Sequence, residues 1–516
     1  MSDPKSPPSP DGLPVLGTGL TYARDPLGAY ERWANQGDVV SLRLPGQQLY
    51  LVSEPELIET VLLDRDRFVL SEAQREVFAG LEDHAVTATR GDEWRRLRNA
   101  IGPAFSREAI DRYADGVVAA VASRVDAWDD GERVDLHREM RLLSLTVLTT
   151  TLLDVEIDGY EDVILDAADA TIARADLRRP GQLLPDWVPT PTERRFRRAV
   201  RELDAFVASV IEDRRDSLAE SADGGSAAAD SAGAVAAARS EAHGGDRAAA
   251  ATEPTADGSD PSTADTDSRT NGSDVASALF AARDRGDLTT AELRDNLVAM
   301  LLGGHDSAAV AFTYAWYLLS QHPDERDRLV DEYEAAVERA GPAAAEAADR
   351  SSTDRPSSRP LDAGALDLDD LSHARRIVDE TLRLFPPAPV TARQTTRSVT
   401  LGGYRLPAGA QVLCPQWVCH RDERWWDDPE TFDPSRWDGE ADRPDYAYFP
   451  FGGGPRYCIG AAFARQELTL GLATMAGRCA LDVDADEPLS LAPSITLRPE
   501  TDLPATVRKR AVRAES

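Results

Sequence analysis

The 516 residues carry 90 acidic against 57 basic side chains, a formal net charge of −33, and a surface so acidic repels phosphate backbones and anionic membranes, which argues against nucleic acid as a partner. The cations are nearly all arginine, with lysine only at Lys5 and Lys509, and an acidic surface of this kind suits a protein kept soluble in the concentrated salt of a halophilic cytoplasm. Cys414, Cys419, Cys458 and Cys479 all fall in the last quarter of the chain, so they cannot staple it as a secreted disulfide framework does, and a reducing, cytoplasmic location is expected.

In chain order, residues 1–12 form a Pro-rich lead with neither the apolar core of a signal peptide nor a membrane anchor. Val39–Leu44 and Gln47–Val52 read as a small antiparallel sheet. Beyond Glu56 apolar residues recur at helical spacing, in Glu93–Asn99, Ile110–Trp128, Met140–Leu153, Pro191–Arg215 and Thr290–Gln321. Residues 217–273 are rich in Ala, Ser, Gly, Asp and Thr; such a segment cannot bury enough surface to offset its ordering entropy and reads as a disordered insertion. Residues 341–362 read the same way. Leu297–Ser320 is long enough to span a bilayer, but Gly303, Gly304, His305, Asp306 and Ser307 stand in its middle, and an aspartate in lipid costs about 3 kcal/mol, so a buried helix is expected. Strand signals return over Pro389–Val412 and Ile495–Pro499, and 501–516 is a tail.

The chemistry concentrates between Phe451 and Gly460, which reads Phe-Gly-Gly-Gly-Pro-Arg-Tyr-Cys-Ile-Gly and runs into a helical stretch, Ala461–Ala476. A cysteine just ahead of a helix meets unpaired N–H groups and the positive end of the dipole, which lower a thiol pKa, so a thiolate is expected at Cys458. The glycines permit a tight turn, and Arg456 offers a fixed positive charge to an anionic ligand group. A phosphate-cradling loop would end Gly-Lys-Ser/Thr, whereas Pro455, Arg456 and Tyr457 stand there. On these residues alone, a buried cysteine after a plain glycine turn remains open. In the central helix Gly303 and Gly304 allow a flat ligand to approach, and Asp306 beside Ser307 can hand on protons through water; the alternative is that Ser307 bonds within the helix and Asp306 pairs elsewhere. Glu380 and Arg383, three apart, share a helical face and by themselves make only a minor ion pair. Cys414, Cys419 and His420 lack the paired spacing of a zinc site and read as packing residues.

Phe451, Gly454, Arg456, Cys458 and Gly460 coincide with every fixed position of the haem-binding signature of the cytochrome P450 family, which the chain resembles from about Leu13 to Pro499. The resemblance implies a mainly α fold with a small β-rich part, the triangular-prism haem-thiolate monooxygenase fold, as one domain over 13–500 in place of the three that length suggests. It implies haem b ligated by Cys458, and the family is itself the reference case for a sulfur ligand that pushes electron density toward O–O cleavage. It further implies a charged network of Glu380, Arg383 and Arg436 supporting the haem loop, with Trp94, Arg98, Arg393 and Arg456 at the haem propionates. Gly303 and Gly304 would lie along the haem, and Asp306 and Ser307 would deliver protons, the family usually having threonine at the latter position. The implied partners are O2, a hydrophobic fatty-acid-like or isoprenoid substrate and, because no flavin or iron–sulfur motif is read here, a separate electron donor such as a ferredoxin with its reductase. The substrate is expected against Phe68–Arg90, Ile164–Thr192, Ala299–Gly303, Pro389–Val390 and Ser494–Thr496. A peroxygenase or isomerase, and a non-catalytic haem sensor, are the alternatives.

Overall fold

In a computed structural model the periodicities above become helices and strands over the described residues, which are 5–13, 17–44, 47–155, 157–176, 178, 190–240, 274–348, 366–439, 442–484 and 489–510. The chain divides into two units, Met1–Leu203 with Ser273–Ser516, and Asp204–Gly272. In the first, β1 (Val39–Leu44) and β2 (Gln47–Val52) pair antiparallel, Val39 opposite Val52 and Leu44 opposite Gln47. Their sheet is completed by β3 (Phe68–Leu70) and by two strands from far down the chain, β4 (Thr391–Thr395) and β5 (Gln411–Cys414), in the order β1-β2-β5-β4-β3. Only the β2–β5 pairing in this sheet is parallel. Val39, Tyr50, Val52, Phe68 and Val412 bury one face together with Ile58 and Val61, and this apolar layer ties the N-terminal segment to the C-terminal third.

The helices that position the site are α1 (Gly91–Ile101), α2 (Arg107–Asp126), α3 (Leu136–Leu148), α4 (Thr290–Gln321), α5 (Ser372–Leu384) and α6 (Ala461–Arg478). Ser106 caps α2 by accepting from the Ala109 amide at 3.3 Å. Thr289 and Glu292 close a reciprocal capping box at the start of α4, whose span matches the periodicity. The one helix expected over Met140–Leu153 is corrected: α-helical turns stop at Leu148 and Thr149–Leu153 is a π-helical turn. Thr149, Thr150 and Thr151 each donate a hydroxyl to a carbonyl one turn back, at 2.9, 2.8 and 2.5 Å, and such bonds compete with the backbone ladder.

The helix expected over Pro191–Arg215 continues to Ser240, into the stretch read as an insertion, of which 241–273 lies outside the described residues. Helix Pro323–Ala348 likewise enters the second low-complexity stretch, of which 349–362 lies outside them. Among the described residues no helix is long and apolar enough to cross a membrane, and α4 is instead surrounded by protein, with His305, Phe312 and Trp316 wholly buried.

Packing of α3 against α4 and α6 explains several small or polar residues. A methyl group at Gly304 would stand 2.9 Å from Leu148 Cδ1, so glycine there lets α3 and α4 approach. Glu467 on α6 is buried and accepts from Ser144 Oγ on α3 at 2.8 Å. Burial raises its pKa from 4.5 to about 8 against the opposing Ser144 bond. The folded protein therefore holds a proton that the unfolded chain has lost between these pH values, and stability from this group falls as pH rises through that window. Glu467→Gln removes the proton. In urea titrations the variant should gain on the parent protein between pH 5 and pH 8; parallel pH profiles for the two proteins would reject the assignment.

Candidate functional site

The loop from Tyr448 to Gly460 is held at each end before any ligand is considered. Gln416 Nε2 donates to the Phe449 carbonyl at 2.6 Å and the Phe449 amide donates to His420 Nε2 at 3.0 Å. Gly454 has φ +66°, and a Cβ there would run into the Leu62 carbonyl, so a positive φ and a close approach coincide at one residue. The Cys458 amide donates to the Phe451 carbonyl at 3.1 Å, and the chain then turns through Gly460 into α6.

Cys458 is the exposed cysteine, while Cys414, Cys419 and Cys479 are buried. Burial pushes Cys414 and Cys479 up to about 12. Cys458 is exposed to solvent, yet protein lies close around its sulfur. That crowding pushes its thiol up, offset only in part by the Gly460 amide and by Arg98. In the protein alone, desolvation at Cys458 therefore outweighs the Gly460 amide and the nearby guanidinium, against the lowering expected at a helix foot.

Around this loop the structure gathers the arginines that the sequence singled out. Arg456 stacks over Trp94 at 4.9 Å and donates to the carbonyls of Val86 and Thr89. Burial, then repulsion by Arg393, Arg90 and Arg98, pushes Arg456 down to about 10. Arg90 is paired with Glu72. Arg393 is 6% exposed and donates only to the Ala392 carbonyl, at 2.9 Å. Among the described residues no carboxylate pairs with Arg98, Arg393 or Arg456. In a chain of net charge −33, three such guanidiniums converging on one loop make a site for a dianionic group.

Glu380 and Arg383 have no solvent exposure and form a bidentate pair, 2.8 and 2.9 Å. Arg436 reaches Glu380 Oε1 at 3.0 Å, and the Trp437 indole and the Asp433 amide complete the carboxylate's bonds. Arg383 spends its remaining donors on the carbonyls of His420, Pro429 and Thr431. The surface pair suggested by spacing alone is therefore a buried, satisfied network.

On α4 the expected group separates. Gly303 is exposed within a buried helix and a methyl group there would touch nothing, whereas Gly304, one residue and 100° round, is half-buried against Leu148. Ser307 shares the open side but donates to the Gly303 carbonyl at 3.0 Å. Asp306 is buried in an ion network that sequence reasoning missed. Thr496 donates to it at 2.7 Å, Arg498 pairs with it directly and Arg141 Nε lies 3.7 Å away; both arginines also bind Asp169. Burial alone would raise the Asp306 pKa, but Arg498, His305 and Arg141 overcome it and hold the carboxylate well below its ordinary range. The hydroxyl and the carboxylate thus bond in different directions, Ser307 within the helix and Asp306 to Arg498, the second of the two arrangements left open by the sequence. Arg141 gave a faint signal as a cation inside the apolar stripe of α3; Arg498 and Asp169 gave none.

The cytochrome P450 family model matches residues 7–503. The chain belongs to the cytochrome P450 family. This P450 is 28% identical over 478 residues to cyclooctatin synthase from Streptomyces melanosporofaciens, covering 91% of this chain and 88% of that relative. It is 28% identical over 497 residues to pentalenene oxygenase from Streptomyces avermitilis, covering 94% of each. In fold it is similar to a retinoic-acid-bound cyanobacterial P450, with a TM-score of 0.73 at 21% identity, covering 98% of this chain and all of that one. Its cofactor is haem b and its class is the monooxygenases, which place one atom of O2 in an organic substrate. The residues present fit that cofactor: a reachable sulfur, carboxylate-free arginines for two propionates, and a glycine-faced helix.

Replacing one member of the Glu380 network strands a buried charge. Arg383→Ala should lower unfolding free energy by about 3 to 5 kcal/mol, read from urea denaturation, and a loss below about 1 kcal/mol, the level of a surface pair, would contradict the packing described.

Proposed function

We propose that this P450 binds haem through Cys458 and oxygenates a hydrophobic isoprenoid or fatty-acid-like substrate, with electrons from a separate donor such as a ferredoxin and its reductase. The observation that carries the assignment is the exposed Cys458 beside Arg98, Arg393 and Arg456, three cations with no paired carboxylate among the described residues. When bound, haem supplies the reduction and cleavage of O2.

The chain's own residues then divide the work. Cys458 would hold the metal, whose positive charge would favour the thiolate against the desolvation that pushes this thiol up. Arg98, Arg393 and Arg456 bind the propionates, with Trp94 holding Arg456 flat by stacking. Gly303 would leave room for the flat cofactor along α4, and Phe451, Gly454 and Gly460 shape the loop. The relatives' names, cyclooctatin synthase and pentalenene oxygenase, support the isoprenoid class.

For proton delivery, Ser307 is the hydroxyl on the open side of α4, and Asp306 serves it only when its carboxylate leaves Arg498. Arg498 and Thr496 therefore set how often the acid is free.

Two measurements test this reading. Cys458→Ala, supplied with haem, should lose the sulfur-ligated spectrum of the ferrous carbonyl adduct; an unchanged spectrum defeats the proposal. Asp306→Asn should lower donor-driven product formation by about a hundredfold, the scale of lost acid–base assistance, while peroxide-driven turnover changes little. Equal donor-driven rates in the two proteins would remove Asp306 from the reaction.

A further inference from the structure

Asp379, the neighbour of Glu380, points about 100° away on α5 and makes a second cluster. It accepts from the Tyr448 hydroxyl at 2.9 Å and pairs with Arg465, which stands on α6 seven residues beyond Cys458. Tyr448 also donates to the Asp379 carbonyl at 3.0 Å. The Arg465 guanidinium lies over the Phe451 ring, 5.1 Å from its centroid. Phe451 in turn offers its carbonyl to the Cys458 amide at 3.1 Å and its ring edge to Tyr457. One carboxylate on α5 is thereby linked to the start of the loop, to the helix after it and, through a single aromatic ring, to the backbone of the cysteine itself.

We propose that Asp379 and Arg465 are positioning residues for the sulfur, forming a clamp separate from the Glu380–Arg383 network; this rests on the haem reading of Cys458 given above. The two clamps act on different parts. Glu380 and Arg383 anchor the segment Asp427–Trp437 ahead of the loop, through Arg436 and the carbonyls of Pro429 and Thr431. Asp379 and Arg465 hold Tyr448 and Phe451 within the loop, closer to the sulfur. The cation over the Phe451 ring restricts the residue whose backbone carbonyl accepts from the Cys458 amide, so removing it lets that carbonyl move. A looser carbonyl leaves the Cys458 amide free to swing, and the sulfur then meets the metal over a wider spread of geometries. Interactions of this outer kind orient the group that binds the metal. The half-buried ion pair is worth little by itself; its effect falls on geometry.

The full-length protein, reconstituted with haem, is compared with Arg465→Ala, Arg465→Lys and Asp379→Asn. Three readouts are taken: circular dichroism for folding, haem affinity by transfer to an apoprotein acceptor, and the spectrum of the ferrous carbonyl adduct at equal haem content. Arg465→Ala and Asp379→Asn should remain folded, lose about tenfold in haem affinity, the lower end for removing an outer support, and show a growing fraction of adduct lacking the sulfur-anion signature. Arg465→Lys should recover most of that signature, because it keeps the charge over Phe451. The double variant Asp379→Asn/Arg465→Ala should be no worse than either single change, as members of one clamp require. A folded Arg465→Ala protein with unchanged affinity and adduct spectrum overturns the clamp. If Arg465→Ala does not fold, Asp379→Asn decides by the same readouts. A parent protein that binds no haem defeats the haem assignment, and is distinguished from failure of the clamp by that fact.

Discussion

A carboxylate and a guanidinium with no exposure to water, Glu380 and Arg383, set the frame for the C-terminal half of this P450. Two desolvated charges are tolerable only when every lone pair and donor is satisfied, and here the satisfying groups come from the short segment Asp433–Trp437, through its Asp433 amide, Arg436 and Trp437, and from the carbonyls of His420, Pro429 and Thr431. Because no member can leave without stranding a charge, segments with little regular structure are fixed as firmly as the helices. The loop bearing Cys458 leads out of that frame.

Charge distribution does the rest. The chain has a large excess of carboxylates, yet among the described residues none is paired with Arg98, Arg393 or Arg456. Burial and the neighbouring guanidiniums push Arg456 down to about 10, and a ligand carrying two negative charges would relieve that repulsion. A ligand of the wrong sign gains nothing there. On the central helix the opposite economy holds: Asp306 is fully neutralised by Arg498 and Arg141, so an acid expected to be free for proton transfer starts from an ion pair. The sulfur lies between these regimes, its thiol raised by crowding and eased by Arg98.

Function and stability also share residues unevenly. Gly454 is demanded by backbone geometry and by the Leu62 carbonyl, and Gly304 by the approach of Leu148. Gly303 meets neither demand, since a methyl group there would touch nothing within 4 Å.

The sequence by itself determined the family, the order of the helices and the cysteine that matters, because those follow from local spacing: the ten residues from Phe451 to Gly460, the period of Thr290–Gln321, the alternation in β1 and β2. It also placed Glu380, Arg383 and Arg436 in one network by resemblance. Partners distant along the chain were decided only by tertiary structure. Arg498 reaches Asp306 across 192 residues and Arg465 reaches Asp379 across 86, and nothing in local pattern says which of many arginines will meet which acid. The same holds for the thiol of Cys458, where local sequence supplied the helix end that lowers its pKa and only the folded surroundings supplied the desolvation that exceeds it.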